Sequence, residues 1–342
     1  MRDSLRHQLI LDKAVEAFFK ETGLVLRGVE SANLEYSGEV LWVDMLGFEQ
    51  GFCVCVHPSI TLQNLNVVIY QSQELDSLYP KLIVAEHVNA TQAERLKEAR
   101  IQFIDTCGNA YLHQPPLHIF VKGNKPAKNP FVSKAGRAFQ LSGLKVIFAL
   151  LQNADLVNQT YREIAEQAGI ALGGVGEILA DLQSQGYLEN MNKQTRRLVN
   201  KDKLLQRWVE YYPKLFQRYH LGTFTTQDPN WWQGMDAQAL EVFWGGEIAA
   251  QVYTNYLQAK EGVVFVSKQK MAEFIKTARL KKRPDSDLEA IHIELMEPFW
   301  QPDLAQMNSG LAPPILVYAD LIISGDVRNL ETAQRIYDQF IG

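Results

Sequence analysis

Apolar residues recur at helical spacing from Leu9 to Phe19, and the pattern then shifts to two strand-like runs, Val40 to Met45 and Phe52 to Val56. A glycine-containing turn around Gly47 to Gly51 joins them. Leu65 to Tyr70 reads either as a third strand or as the end of a helix. Lys81 to Ala85 and Gln102 to Asp105 read as strands, with a helix over Thr91 to Ala99 between them. Strand and helix alternate, which implies an α/β domain. From Lys122 to Ala138 the chain turns polar and basic and is punctuated by Pro126 and Pro130, the composition of an exposed connector.

Beyond the connector, Leu144 to Leu151 predicts an amphipathic helix. Thr160 and Glu163 have the spacing of a capping box at the start of a second helix, Tyr161 to Ala168, which Gly169 stops. A third helix runs from Leu172 to Gln185, with Val175, Ile178, Leu179 and Leu182 as its buried stripe and Gly186 as its C-cap. Tyr187-Leu188 and Arg197 to Val199 read as two short strands around a polar tip. Three helices, the last two joined by a short Gly-containing turn, followed by a small hairpin, form the pattern of a winged helix-turn-helix. A three-helix packing unit that meets no nucleic acid is the alternative. The remainder mixes helices (Leu240 to Tyr256, Gln269 to Leu280, Leu330 to Ile341) with strands (Val263 to Val266, Ile291 to Leu295, Ile315 to Tyr318). The expected organisation is α/β multidomain: an α/β domain over 1–125, a basic linker over 126–140, a winged helix-turn-helix over 141–203 and an α+β domain over 204–342.

The chain has 342 residues and is 46% hydrophobic, enough for more than one core. Its apolar runs fall far short of the ~20 residues that span a bilayer, and Met1-Arg2-Asp3-Ser4 opens no signal-peptide apolar region, so a cytoplasmic location without membrane contact is expected. Cys53, Cys55 and Cys107 offer one C-x-C pair and no second, and the histidines are scattered; neither a metal nor a cofactor is expected.

Net charge is −5, unevenly spread. Thr106 to Ala154 contains no Asp or Glu but holds Lys134 and Arg137. A second basic cluster includes Lys193, Arg196 and Arg197, and a third comprises Lys276, Arg279, Lys281, Lys282 and Arg283. From Asp155 to Glu189 there are six acids against the single Arg162. A base-reading helix needs Arg, Lys, Asn or Gln on the solvent face of its first turns. The third helix offers Gly173, Gly174, Gly176 and Glu177 instead. Phosphate contacts are therefore expected from Lys134 and Arg137 on the connector, from Arg162, and from Lys193, Arg196 and Arg197 on the wing, with bare backbone at Gly173 and Gly174. Such binding is salt-sensitive and weakly specific for a monomer; a homodimer or a partner would supply the rest.

Helix, hairpin, strand, helix, strand looks like the core of a restriction-endonuclease-like domain, where an Asp and a Glu-x-Lys hold the metal. Asp44 lies on the first strand, but Cys53 to His57 offers neither carboxylate nor lysine at the second position. An alternative frame keeps Asp105 and Lys122 but has Phe120 for the carboxylate, so the domain reads as a degenerate nuclease. Asp105 to Ala110 reads as a strand-turn-strand. In the last domain, Phe243 to Glu247 resembles the Gly-Gly that opens a nucleotidyltransferase core, without the paired carboxylates downstream; a degenerate core of that kind is one reading. No catalytic residue is expected. Glu247, Asp320, Asp326 and Arg328 are candidates for a partner or ligand site, the last three gathered at a strand end, with an ion pair that positions the last helix as the alternative.

Phe103 to Tyr111, the central winged helix, Trp244 to Ala250, Tyr318 to Leu321 and Gly325-Asp326-x-Arg328-Asn329 together resemble the AbiEi-like transcriptional regulators, the antitoxins of type IV toxin-antitoxin systems. The resemblance implies a non-catalytic, DNA-binding repressor of its own operon that counters a nucleotidyltransferase toxin. The best-known members carry their winged helix at the N-terminus; here it is central. Two other readings stand beside it. One is a nuclease- or nucleotidyltransferase-related enzyme with unorthodox site residues. The other is a protein-interaction scaffold using an acidic winged helix, with Trp231, Trp232 and Trp300 as anchors.

Overall fold

Ile10, Leu11, Ala14 and Phe18, at i, i+1, i+4 and i+8, are all buried on one face of α1 (Arg2–Thr22). The computed structural model describes residues 2–29, 40–45, 48–74, 77–126, 136–192, 195–282 and 291–342. Lys134, Lys193 and the side chain of Asp44 lie outside the described residues. The chain is mixed α/β and divides into two units, Met1–Lys134 and Ala135–Gly342.

In the first unit α1 is followed by β1 (Leu26–Val29), β2 (Val40–Met45), β3 (Phe48–His57), α2 (Leu65–Glu74), β4 (Lys81–Ala85), α3 (Ala90–Glu98), β5 (Gln102–Asp105), β6 (Ala110–Gln114) and β7 (Leu117–Val121). The strands lie in one sheet in chain order. β3, β4 and β5 are parallel, and the flanking pairs are antiparallel. Parallel neighbours require a crossover, which α2 and α3 provide. This settles Leu65 to Tyr70 as helix. Alternation along the strands divides the core in two: Val54, Leu82, Val84 and Ile104 pack with α1, while Ile83, Ala85 and Phe103 pack with α2 and α3. The turn expected around residues 47–51 is largely strand, because β3 starts at Phe48, opposite Met45. Gly51 serves packing: a Cβ there would lie 2.9 Å from the Tyr79 ring and 3.1 Å from Trp42.

The second unit begins with α4 (Leu141–Gln152), α5 (Tyr161–Ala168) and α6 (Val175–Ser184), then an antiparallel ribbon of β8 (Leu188–Asn190) and β9 (Arg196–Leu198). The capping box forms as the sequence predicts, with the Thr160 side chain accepting from the Glu163 N–H and the Glu163 carboxylate accepting from the Thr160 N–H, and Gly169 ends α5 in the left-handed conformation at φ +58. Then follow α7 (Lys201–Tyr219), β10 (His220–Thr226), β11 (Val242–Gly245), α8 (Gly246–Thr254), β12 (Gly262–Val266), α9 (Met271–Thr277), β13 (Lys281–Lys282), β14 (Ile291–Met296), α10 (Leu304–Ser309), α11 (Pro314–Ser324) and α12 (Val327–Phe340). Five strands form one sheet in the order β11-β12-β14-β10-β13.

Three features depart from the sequence reading. α7 runs through residues 203 and 204, where a domain division is expected, and Trp208 ties it back to α4: its indole N–H donates to the Leu144 carbonyl at 2.8 Å and its ring stacks on Phe148. Pro213 lies inside the helix and is buried along with Leu204, Leu205, Trp208, Val209, Tyr212 and Leu215. Leu240 to Tyr256 is not one helix, because Glu241 adopts φ +55 and the strand β11 pairs with β12 before α8 begins. Ile315 to Tyr318 is helical within α11, which Pro314 starts and Gly325 ends. Burial on all sides makes that apolar run continuous, and such a run has no period by which to tell helix from strand. No helix among the described residues is long and apolar enough to cross a membrane.

Candidate functional site

The α4–α6 segment and its ribbon carry the described candidates for phosphate contact. Arg162 on α5 pairs with Glu166 one turn on, at 3.2 Å; Arg137 pairs with Glu177 of α6 at 3.0 Å; Arg197 on β9 pairs with Glu189 of β8 at 3.0 Å. All three guanidinium groups are exposed. Arg196 is half-buried, with its guanidinium 5.2 Å from the centre of the Tyr161 ring and its backbone N–H donating to Asn158 at 2.7 Å. Gly173 borders open space and Gly174 is nearly as free, so the chain leading into α6 presents bare backbone. Gly176 sits against the Tyr161 ring, 3.3 Å from where a Cβ would stand. Leu172 and Tyr161 are exposed beside these glycines, near the start of α6.

A second group of acids lies where α8, α11 and α12 meet. Glu247, in the first turn of α8, is buried; its carboxylate accepts from the Lys260 and Glu261 N–H groups at 2.6 and 3.2 Å and from the Asn329 amide at 2.8 Å. Arg328 reaches it at 3.9 Å and Asp326 at 3.3 Å, while Asp326 also caps α12 through the Arg328 N–H. Asp320 projects from within α11, not from a strand end. Its carboxylate accepts from the Tyr212 hydroxyl at 2.9 Å and the Gly246 N–H at 3.2 Å. Burial pushes that carboxyl up to about 7 from its ordinary 3.8, with the Tyr212 and Gly246 hydrogen bonds opposing the rise. Glu247, Asp326 and Arg328 thus come together, and Asp320 serves a different junction, between α7, α8 and α11.

In the first unit, Asp105 is fully buried at the end of β5. Its oxygens accept from the Val88, Cys107 and Asn109 N–H groups at 2.8, 2.8 and 2.9 Å and from the Asn109 amide at 2.7 Å. Burial raises its carboxyl, and these donors hold the rise back. His87, Asp105 and Cys107 bring potential ligand atoms within 4.8 Å of one another. A carboxylate has about four lone-pair sites, and N–H donors already take all four here. His87 also uses its Nε2, 3.2 Å from the Asn124 carbonyl. Gly108 closes the turn at φ +86, with a Cβ position 2.4 Å from Glu21 of α1. Lys122, the other survivor of the nuclease frame, forms an ion pair with Glu94. On β3, Cys53 is buried, and burial pushes the Cys55 thiol up to about 12.

The sequence reading missed the Tyr212–Asp320 pair, since its members lie in helices the pattern had not assigned. Trp231 and Trp300 are buried rather than exposed, and the Trp300 N–H donates to Gln306 at 3.1 Å, so neither is a free anchor.

Residues 197–342 match the family described as transcriptional regulator, AbiEi antitoxin, type IV TA system. The match starts within β9 and runs to the last residue, leaving the first unit and α4–α6 outside it. No curated protein and no solved structure matches the chain.

Proposed function

We propose that the chain is a DNA-binding transcriptional regulator of the antitoxin type, acting in the cytoplasm and without catalysis of its own. The observation that carries this reading is the antitoxin-family match over residues 197–342, in a unit that also holds α4–α6 and the β8–β9 ribbon. Three helices and a ribbon in this order support a winged helix-turn-helix, with α6 as the helix placed toward the groove. Arg137, Arg162 and Arg197 are each matched by a glutamate. Exposed pairs of this kind contribute roughly 0–1 kcal/mol, so phosphates can displace the glutamates at little cost. Arg196 and Arg197 hold phosphates, the α6 N-terminus meets backbone, and affinity falls steeply with salt. A homodimer supplies the specificity that one α6 lacks. The DNA partner in this reading is the protein's own operator, and the functional counterpart is a nucleotidyltransferase toxin. The first unit and the C-terminal sheet are then degenerate relatives of nuclease and nucleotidyltransferase folds. Support for the absence of catalysis comes from Asp105, whose carboxylate accepts from four N–H donors, and from Glu247, which accepts from three and faces Arg328.

Fluorescence anisotropy against the upstream duplex and a scrambled one, at two salt concentrations, tests the reading. Tighter, salt-dependent binding to the upstream duplex is expected, weakened about tenfold in Arg196→Ala/Arg197→Ala with a flatter salt slope. Equal binding to both duplexes, or an unchanged double variant, refutes it. The exposed Tyr161–Leu172 face supports a second reading, in which this surface docks a protein. Absence of DNA binding in the same titration would favour it.

A further inference from the structure

β13 is an edge strand of the five-stranded sheet, with Lys281 opposite Thr225 and Lys282 opposite Phe224 of β10. A cavity of about 610 Å³ opens beside it, with Trp231 and Thr225 in its wall, Asp228 among its lining, and Arg279, Lys281 and Lys282 contributing positive charge. This is the third basic run of the sequence, and nothing in the regulator reading uses it.

Arg279 adopts φ +51 just after α9, at the position where a helix commonly ends on glycine. The adjoining hydrogen bonds, Leu280 N–H to the Ile275 carbonyl and Ala278 N–H to that of Phe274, fix this reversal. The reversal brings Arg279 into the cavity lining together with Lys281 and Lys282. Nearby Lys268 and Lys270 pair with Glu297, Glu241 and Glu273, whereas Arg279, Lys281 and Lys282 have no ion pair among the described residues. Asp228, the acid in the lining, already accepts from the Asn230 N–H. Three cations against the single acid Asp228 leave the concavity net positive, which attracts an anion. The volume lies in the range of small-molecule sites, roughly 300–1,000 Å³, and exceeds what a single phosphate fills. Trp231 and Met235 add apolar surface, and threonine hydroxyls add polar partners.

We propose that this cavity binds a phosphate-bearing nucleotide, its phosphates held by Arg279, Lys281 and Lys282 and its nucleoside lodged toward Trp231. The nucleotide is either free or part of a nucleic-acid strand. The site stands apart from Arg196 and Arg197 and does not depend on their role.

Equilibrium dialysis of the full chain against ATP, GTP, CTP, UTP, a short single-stranded oligonucleotide and inorganic phosphate tests it. Saturable binding of a nucleotide is expected, weaker for inorganic phosphate and reduced about tenfold or more in Arg279→Gly/Lys281→Gln/Lys282→Gln. Lys276→Gln, in the same basic run but outside the cavity lining, leaves it unchanged. Glycine suits the backbone at 279, so the Arg279→Gly single variant keeps the fold and should alone weaken binding should the triple variant unfold. Preference for a free nucleotide identifies that source, and preference for the oligonucleotide, retained in Arg196→Ala/Arg197→Ala, identifies a strand. No saturable binding of any probe, equal binding by the variants, or inorganic phosphate binding as tightly as nucleotide overturns the proposal.

Discussion

Asp105→Asn separates a structural carboxylate from a catalytic relic. The native side chain accepts four hydrogen bonds within 2.7–2.9 Å from Val88, Cys107 and Asn109 while fully buried. Asparagine has the same shape but replaces one oxygen with an amide group, so either orientation turns two acceptances into donor–donor encounters. Each buried donor left unmet costs about 1–3 kcal/mol. Relief of a buried charge works the other way, since burial raises this carboxyl. The balance is set at about 3 kcal/mol of local stability, roughly a hundredfold in an opening equilibrium. Hydrogen–deuterium exchange of the amides in β4 and β5 reads it directly. Exchange about a hundredfold faster there is expected. Exchange within about threefold of the native protein would refute the keystone role, since a catalytic carboxylate is commonly neutralised with little loss of stability.

Asp320 is raised to about 7, so the folded state holds its proton more tightly than the unfolded chain. Its favourable contribution is full below about pH 4 and is lost as pH rises through about 7. Asp320→Asn should remove that loss, so melting curves of native and variant protein should change their separation between about pH 4 and 8, and a pH-independent separation would contradict the assignment. Trp208→Ala empties a fully buried site and removes the indole hydrogen bond to the Leu144 carbonyl, and denaturant unfolding should show a loss of about 3–5 kcal/mol; less than about 1 kcal/mol would mean that α7 and α4 are not coupled through it. Gly51→Ala pushes a methyl group against the Tyr79 and Trp42 rings, and a loss of about 1–3 kcal/mol is expected in the same assay; an unchanged midpoint would show that the rings yield freely.

Near neighbours along the chain fix part of this structure. Thr160 and Glu163 capped α5, Gly169 ended it, and the stripe of Val175, Ile178, Leu179 and Leu182 set the buried face of α6. Of the arginine pairs, Arg162–Glu166 was legible, because residues four apart share a helix face. Tertiary structure decided what depends on distant ones. Arg137 meets Glu177 and Arg197 meets Glu189 across separate elements, so basic residues that look free along the chain are neutralised in space. Asp320 finds Tyr212 and Gly246 far away in sequence, which no spacing rule reaches. The α11 run gave no period to read, since neighbouring elements bury it on every side, and the cavity at β13 exists because sheet pairing brings Lys281 and Lys282 beside β10. Local pattern reports a residue's preference, while burial and charge pairing depend on which elements fold against it.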